Sequence, residues 1–161
     1  FEEGQFSQAF PNFGAERRGA PVAAFVRLAA RSLQRHCQVL NPDFLIIQDD
    51  SLLHQPGITA GLKKGGALLV NSRKERSHLE LGSDSRVVAI PATDLAQEIL
   101  GRPIPNTALI SAFVTLTGLV SPESVIRVLE TRFRGEVLEA NRQLVEQAAG
   151  MVEKGAWEVK A

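Results

Sequence analysis

Short, unbroken apolar runs set off by glycine, proline and asparagine mark the middle of the chain. Phe44, Leu45, Ile46 and Ile47 follow Asn41-Pro42, and Ala67, Leu68, Leu69 and Val70 follow Gly65-Gly66. Hydrophobicity that is continuous rather than alternating predicts strands covered on both faces, as in a parallel sheet. Between these runs, residues 50–62 read as a helix. Asp49 or Asp50 can cap its start, Gly65 can close it, and Pro56-Gly57 breaks it in two. A third run, residues 86–91, precedes a helical stretch over residues 93–100, where Thr93 or Asp94 can cap and Gly101 can terminate. Strand, helix, strand, helix in this order predicts a βαβ-type sheet with right-handed crossovers.

The final third reads as helical. Leu109, Ile110, Phe113, Val114 and Leu116 recur at helical spacing, with Asn106-Thr107 as the expected cap after Pro103-Ile104-Pro105. Ser121-Pro122-Glu123-Ser124 is a start signal in which Ser121 caps and Pro122 takes the first turn. From there a helix runs over residues 125–133, breaks at Gly135, and resumes over residues 137–151 with Leu138, Asn141, Leu144, Val145 and Ala148 on one face. This pair is expected to cap the sheet. Residues 72–85 are charged and aperiodic, a solvated loop. Residues 20–40 are ambiguous: the alanines and leucines favour helix, whereas Pro21-Val22 and the Phe25–Arg27 alternation favour strand.

Composition narrows the function classes. A chain of 161 residues fits a single domain, residues 1–161, with a core of ordinary size. Lys plus Arg and Asp plus Glu both number 18, so no global field draws the protein to nucleic acid or an anionic membrane. The apolar runs are far shorter than the roughly 20 residues of a membrane span. One cysteine, Cys37, permits no internal disulfide and too few thiolates for an iron–sulfur cluster, and the expected home is the reducing cytoplasm. Cys37 itself reads as a buried, inert thiol. His36, His54 and His78 show no metal-ligand spacing. No nucleophile elbow, Walker loop or dinucleotide fingerprint is present. The chain opens at Phe1-Glu2-Glu3 without an initiator methionine or a signal-type stretch, which points to a missing N-terminal piece.

The most unusual stretch is residues 8–21, read as a loop that sets Glu16, Arg17 and Arg18 between Gly14 and Gly19, with aromatics and prolines beside them. Glycine lets a backbone approach a ligand closely, and arginine forks bind phosphate or carboxylate through paired hydrogen bonds. The plainer reading makes Glu16 the internal partner of the two arginines.

Residues 8–22, from Gln8-Ala9-Phe10-Pro11 through Phe13-Gly14 to Glu16-Arg17-Arg18-Gly19-Ala20-Pro21-Val22, closely resemble the corresponding run in gamma subunits of 2-oxoacid:ferredoxin oxidoreductases. The likeness continues through Asn41-Pro42-Asp43, Lys64-Gly65-Gly66 before Leu69-Val70-Asn71-Ser72, Leu100-Gly101-Arg102-Pro103 with Asn106-Thr107, and Thr117-Gly118-Leu119-Val120-Ser121. In that family a strand and a Gly-x-Gly-Gly-Gln-Gly turn come first. Here neither is present, and residues 1–4 resemble the end of the helix after that turn. Ser111 stands where the family pattern has glycine.

The resemblance implies an α/β fold of Rossmann or flavodoxin-like character: a mostly parallel sheet flanked by helices, with a helical C-terminal cap. It also implies that residues 22–28 form a strand. It implies a subunit inactive alone, in an oxidoreductase where thiamine diphosphate attacks a 2-oxoacid, carbon dioxide leaves, and electrons pass through iron–sulfur clusters to ferredoxin while coenzyme A takes the acyl group. Thiamine diphosphate, magnesium and the clusters are then expected on partner subunits, and ferredoxin is met only indirectly. The Glu-Arg-Arg-Gly-Ala-Pro form looks closer to the pyruvate-type branch. Glu16, Arg17, Arg18, Gly19 and Asn106 are the candidates for touching coenzyme A or a subunit seam; no catalytic residue and no metal ligand is assigned. Two competing readings are a stand-alone α/β module binding an anionic metabolite around Arg17 and Arg18, and a non-catalytic interaction protein.

Overall fold

A computed structural model describes residues 2–12, 22–34, 37–74, 79 and 86–158. Two sheets are present among them. Strands β1 (Phe6–Asn12) and β2 (Ala23–Ala29) form an antiparallel hairpin in which Phe6 faces Ala29, Phe10 faces Phe25 and Asn12 faces Ala23. Strands β3 (Phe44–Ile47), β4 (Ala67–Asn71) and β5 (Arg86–Ile90) form a parallel sheet in sequence order, β3-β4-β5. The strand expected over residues 22–28 is therefore β2. Gln8–Asn12, read from sequence as part of a loop, instead lie in β1, because pairing with β2 satisfies their backbone groups.

The parallel sheet shows why continuous apolar runs mean two covered faces. Ala67 and Leu69 of β4 pack into one cluster with Ile90 and helix residues; Leu68 and Val70, pointing the other way, pack with Ile47, Leu79 and Val87. These four of the five β4 residues are essentially fully buried. Each large one contributes about 1.5–3 kcal/mol by leaving water.

Helices α1 (Ala92–Leu100), α2 (Asn106–Thr117), α3 (Pro122–Arg132) and α4 (Gly135–Gly150) follow the last strand. They bury Ala96, Ala108, Ala112, Leu116, Leu144 and Ala148 in the first cluster. Past α4, Trp157 folds back, donates its backbone N–H to Leu116 O at 2.7 Å, and stacks on Phe44 with ring centroids 6.2 Å apart. The opposite face carries less structure than the sequence suggests. Residues 50–62 hold a 3-10 helix, Asp50–His54, followed by turns; Leu52, Leu53, Ile58 and Leu62 pack on the second cluster from it.

Several caps fall as expected and others do not. Asp49 accepts from Ser51 N at 2.9 Å, and Ser121 accepts from Ser124 N at 3.2 Å with Pro122 in the first turn. Thr93 and Asp94, however, lie inside α1, which starts after Pro91 without a cap of its own. Asn106 is likewise the first residue of α2 rather than its cap, because Pro105 occupies that position. Ile110 is exposed, off the buried face formed by Leu109 and Ala112. Helix α4 begins at Gly135, two residues earlier than expected.

Candidate functional site

The carboxyl ends of the three parallel strands open onto a crevice of about 410 Å³, within the size range of small-ligand pockets, about 300–1,000 Å³. In open parallel sheets, the region beyond the strand ends is where ligands settle, because loops there are free to vary while the strands hold them rigidly. Here the loops bring Asp49 and Asp50 after β3, Ser72, Arg73 and Lys74 after β4, and Thr93 and Asp94 after β5.

A chain of polar contacts stitches these ends together. Asn71, the last residue of β4, donates from Nδ2 to Gln48 O at 2.9 Å and to Thr93 Oγ1 at 2.7 Å, and its Oδ1 accepts from Thr93 N at 3.1 Å. The cap missing from α1 thus comes from a neighbouring strand. Ser72 Oγ donates to Asp50 Oδ2 at 2.6 Å and accepts from Lys74 N at 3.0 Å. Arg73 and Asp94 form a two-point ion pair. The hydrogen bonds and charge of Arg73 hold the Asp94 carboxyl below its usual range, and Asp94 raises the guanidinium in turn. With the Arg73 side chain 80% exposed, this pair contributes little to stability.

Two cations against three carboxylates line the crevice, so it offers donors and acceptors together rather than a bare anion trap. That chemistry suits a polar group with both functions, or the polar edge of another chain.

Glu16, Arg17, Arg18 and Gly19 lie outside the described residues, and Asn106 does not line the crevice. Sequence reading missed Asn71, Ser72, Arg73 and Thr93. Their signal was present: each follows or ends a predicted strand on its carboxyl side. Cys37, expected to be buried, is exposed in the loop after the hairpin, where Arg27 donates to its carbonyl at 2.6 Å and to its sulfur at 3.5 Å. Among the described residues no group of three or more His, Cys, Asp or Glu is placed to hold a metal, and no helix is long and apolar enough to cross a membrane. With a single cysteine, the donor set does not fit an iron–sulfur cluster.

Residues 1–151 match the family described as pyruvate ferredoxin/flavodoxin oxidoreductase. The pyruvate synthase subunit PorC of Methanocaldococcus jannaschii is 44% identical over 148 residues, covering 92% of this chain and 81% of its own. A pyruvate/ketoisovalerate oxidoreductases common subunit gamma from Thermococcus kodakarensis is 42% identical over 151 residues, covering 92% and 82%. The crystal structure of pyruvate oxidoreductase subunit PORC from Thermotoga maritima superposes with a TM-score of 0.83 at 35% identity, over 94% of this chain and 83% of that one.

Proposed function

The chain belongs to the pyruvate ferredoxin/flavodoxin oxidoreductase family as a gamma-type subunit, and on that footing we propose that it acts only inside a hetero-oligomer converting pyruvate, or a related 2-oxoacid, to its acyl-coenzyme A. The carboxyl carbon leaves as carbon dioxide, the released electron pair passes to ferredoxin, and the acyl group goes to the coenzyme A thiol. Thiamine diphosphate and the iron–sulfur clusters sit on partner subunits in this reading, since this chain lacks the thiolates a cluster requires. The observation that carries the proposal is identity above 40% to PorC and gamma subunits across more than four-fifths of both chains. The shared gamma subunit of the Thermococcus enzymes further supports placing the choice of 2-oxoacid on the other subunits.

Within the complex, Glu16, Arg17, Arg18 and Gly19, with Asn106, are the residues proposed to meet coenzyme A or a subunit seam. Charge-assisted bonds from arginine to phosphate contribute about 1.5–3 kcal/mol each where water is excluded. Co-expression with thiamine-diphosphate and ferredoxin-like subunits tests the whole reading. This chain should co-purify at fixed stoichiometry, and its omission should abolish pyruvate- and coenzyme A-dependent ferredoxin reduction. Full activity without it, or a chain found only as a monomer or homo-oligomer, would overturn the proposal. Arg17→Ala and Arg18→Ala in the assembled enzyme separate the two local roles: a raised KM for coenzyme A with intact assembly supports ligand contact, and loss of assembly supports the seam.

A further inference from the structure

The hairpin is poorly supported by its own packing. No residue of β1 or β2 is buried, and none joins either core cluster. A two-stranded hairpin is marginal in water without a third strand or a packed face. Two of its rings, Phe10 and Phe25, meet with centroids 5.6 Å apart, and Arg27 lies over Phe10.

The residues just before β1, in contrast, are tied to residues 119–127 at the start of α3. Gln5 Nε2 donates to Leu119 O at 2.9 Å. One Glu3 carboxylate oxygen accepts from Ser121 N at 2.8 Å and from Ser124 Oγ at 2.5 Å, across 118 and 121 residues. Ser124 Oγ in turn accepts from Ser121 Oγ at 3.1 Å and from the Arg127 guanidinium, which pairs with Glu2 at 3.7 Å. A hydroxyl has one proton and two lone pairs, and this one uses all three. Ser124 is 2% exposed, so this bonding geometry is held by packing. The carboxylate also sits at the amino end of α3, where unpaired N–H groups and the helix dipole favour negative charge.

We infer that Glu3 is a positioning residue: through Ser121 and Ser124 it clasps the base of the hairpin to the first turn of α3 and sets the direction in which the hairpin leaves the helical cap. Helix α3 keeps Ser121 as its cap, and the Ser121 N–H and the Ser124 hydroxyl are in turn held by a carboxylate 118 and 121 residues away. Losing Glu3 removes two of the bonds at the base of the hairpin and loosens it, leaving Gln5 on Leu119 and Glu2 near Arg127, while Ser121 still starts the helix.

Spin labels at exposed positions, Ala9→Cys on β1 and Val128→Cys on α3 in a Cys37→Ser background, report the distance between hairpin and cap. Hydrogen exchange reports local opening in the same proteins. Glu3→Ala is expected to broaden the distance distribution and to speed exchange several-fold in β1 and β2, leaving β4 protected. Glu3→Gln, which keeps an acceptor oxygen, should fall between wild type and Glu3→Ala, and Glu136→Ala on α4 should change neither. An unchanged distribution in Glu3→Ala would overturn the inference. So would a rise in β4 exchange matching that in β1, because the contact would then support the whole fold rather than the hairpin.

Discussion

Asn71 and Thr93 are joined by two hydrogen bonds, one from the Asn71 amide to the Thr93 hydroxyl at 2.7 Å and one from the Thr93 backbone N–H to Asn71 Oδ1 at 3.1 Å. The carboxyl end of the central strand is thereby fastened to the first turn of α1, which has no local cap. Helix-capping side chains contribute about 0.5–2 kcal/mol. Asn71→Ala should therefore lower unfolding stability by about 1–2 kcal/mol in urea denaturation. Asn71→Asp, which keeps the acceptor for Thr93 N but loses both donated bonds, should lose less.

A second prediction concerns the contact of α2 with α4. Ser111 is fully buried there and donates to Val145 O at 2.6 Å, in a row of small residues with Ala108 and Ala112. Ser111→Ala removes one bond and no volume that matters, and should cost about 1 kcal/mol. Ser111→Gly loses the same bond and a further ~1 kcal/mol of helix propensity relative to alanine, and should cost about 2 kcal/mol. Ser111→Leu must push the helices apart and should cost about 1–3 kcal/mol or more. Trp157, the single tryptophan, is buried and packs in the cluster these helices share, so its fluorescence follows the transition.

How far the fold was legible follows from how local each signal is. The runs at residues 44–47, 67–70 and 86–91 announced parallel strands; burial on both faces is complete at 67–70, where Leu68 and Leu69 face opposite layers, whereas Ile46 of β3 is exposed. Ser121-Pro122 announced α3 because cap and helix are adjacent. Thr93 and Asp94 were misread for the opposite reason: the cap is Asn71, on another strand. The alanines of residues 23–29 favour helix locally, yet cross-strand pairing with β1 prevails, and family resemblance rather than propensity indicated it. The crevice depends on three loop segments meeting in space, which no single spacing encodes. Glu3 and Ser124, 121 residues apart, were equally invisible. Glu16, Arg17, Arg18 and Gly19 fall outside the described residues.

Two glycines separate backbone strain from steric exclusion. Gly57 and Gly61 have nearly the same φ, +83° and +82°, in the region that costs other residues about 1–2 kcal/mol. At Gly57 an added Cβ meets nothing closer than 4.0 Å, whereas at Gly61 it would lie 2.1 Å from Leu40 O. Gly57→Ala should cost about 1–2 kcal/mol. Gly61→Ala has to displace the backbone at Leu40 as well, and should cost more than about 3 kcal/mol. Equal losses in thermal or urea unfolding would show that the segment around Leu40 yields freely.

The last prediction is a pH dependence whose sign follows from two aspartates. The Asp49 carboxyl lies below its ordinary value because it accepts hydrogen bonds from Ser51, and Asp94 because it is bonded to and charged against Arg73. A carboxyl depressed in the folded state binds its proton more readily when unfolded. Its contribution to stability is therefore complete above the unfolded value, about pH 3.9, and is lost as pH falls through the lower folded value. In an NMR titration both side-chain carboxyl signals should move at a pH below that of an unstructured aspartate. Arg73→Ala should return Asp94, and not Asp49, to the ordinary range. High salt should shift Asp94 part of the way back, since an exposed ion pair is screened, while the short-range bonds that hold Asp49 are not. Asp49→Asn keeps the capping oxygen and should preserve the 3-10 helix at neutral pH while removing its share of the acid sensitivity. If Asp94 titrates at the ordinary value in the wild-type protein, the Arg73 pair is not populated in solution, and the polar seam beyond β4 and β5 rests on Asn71 and Thr93.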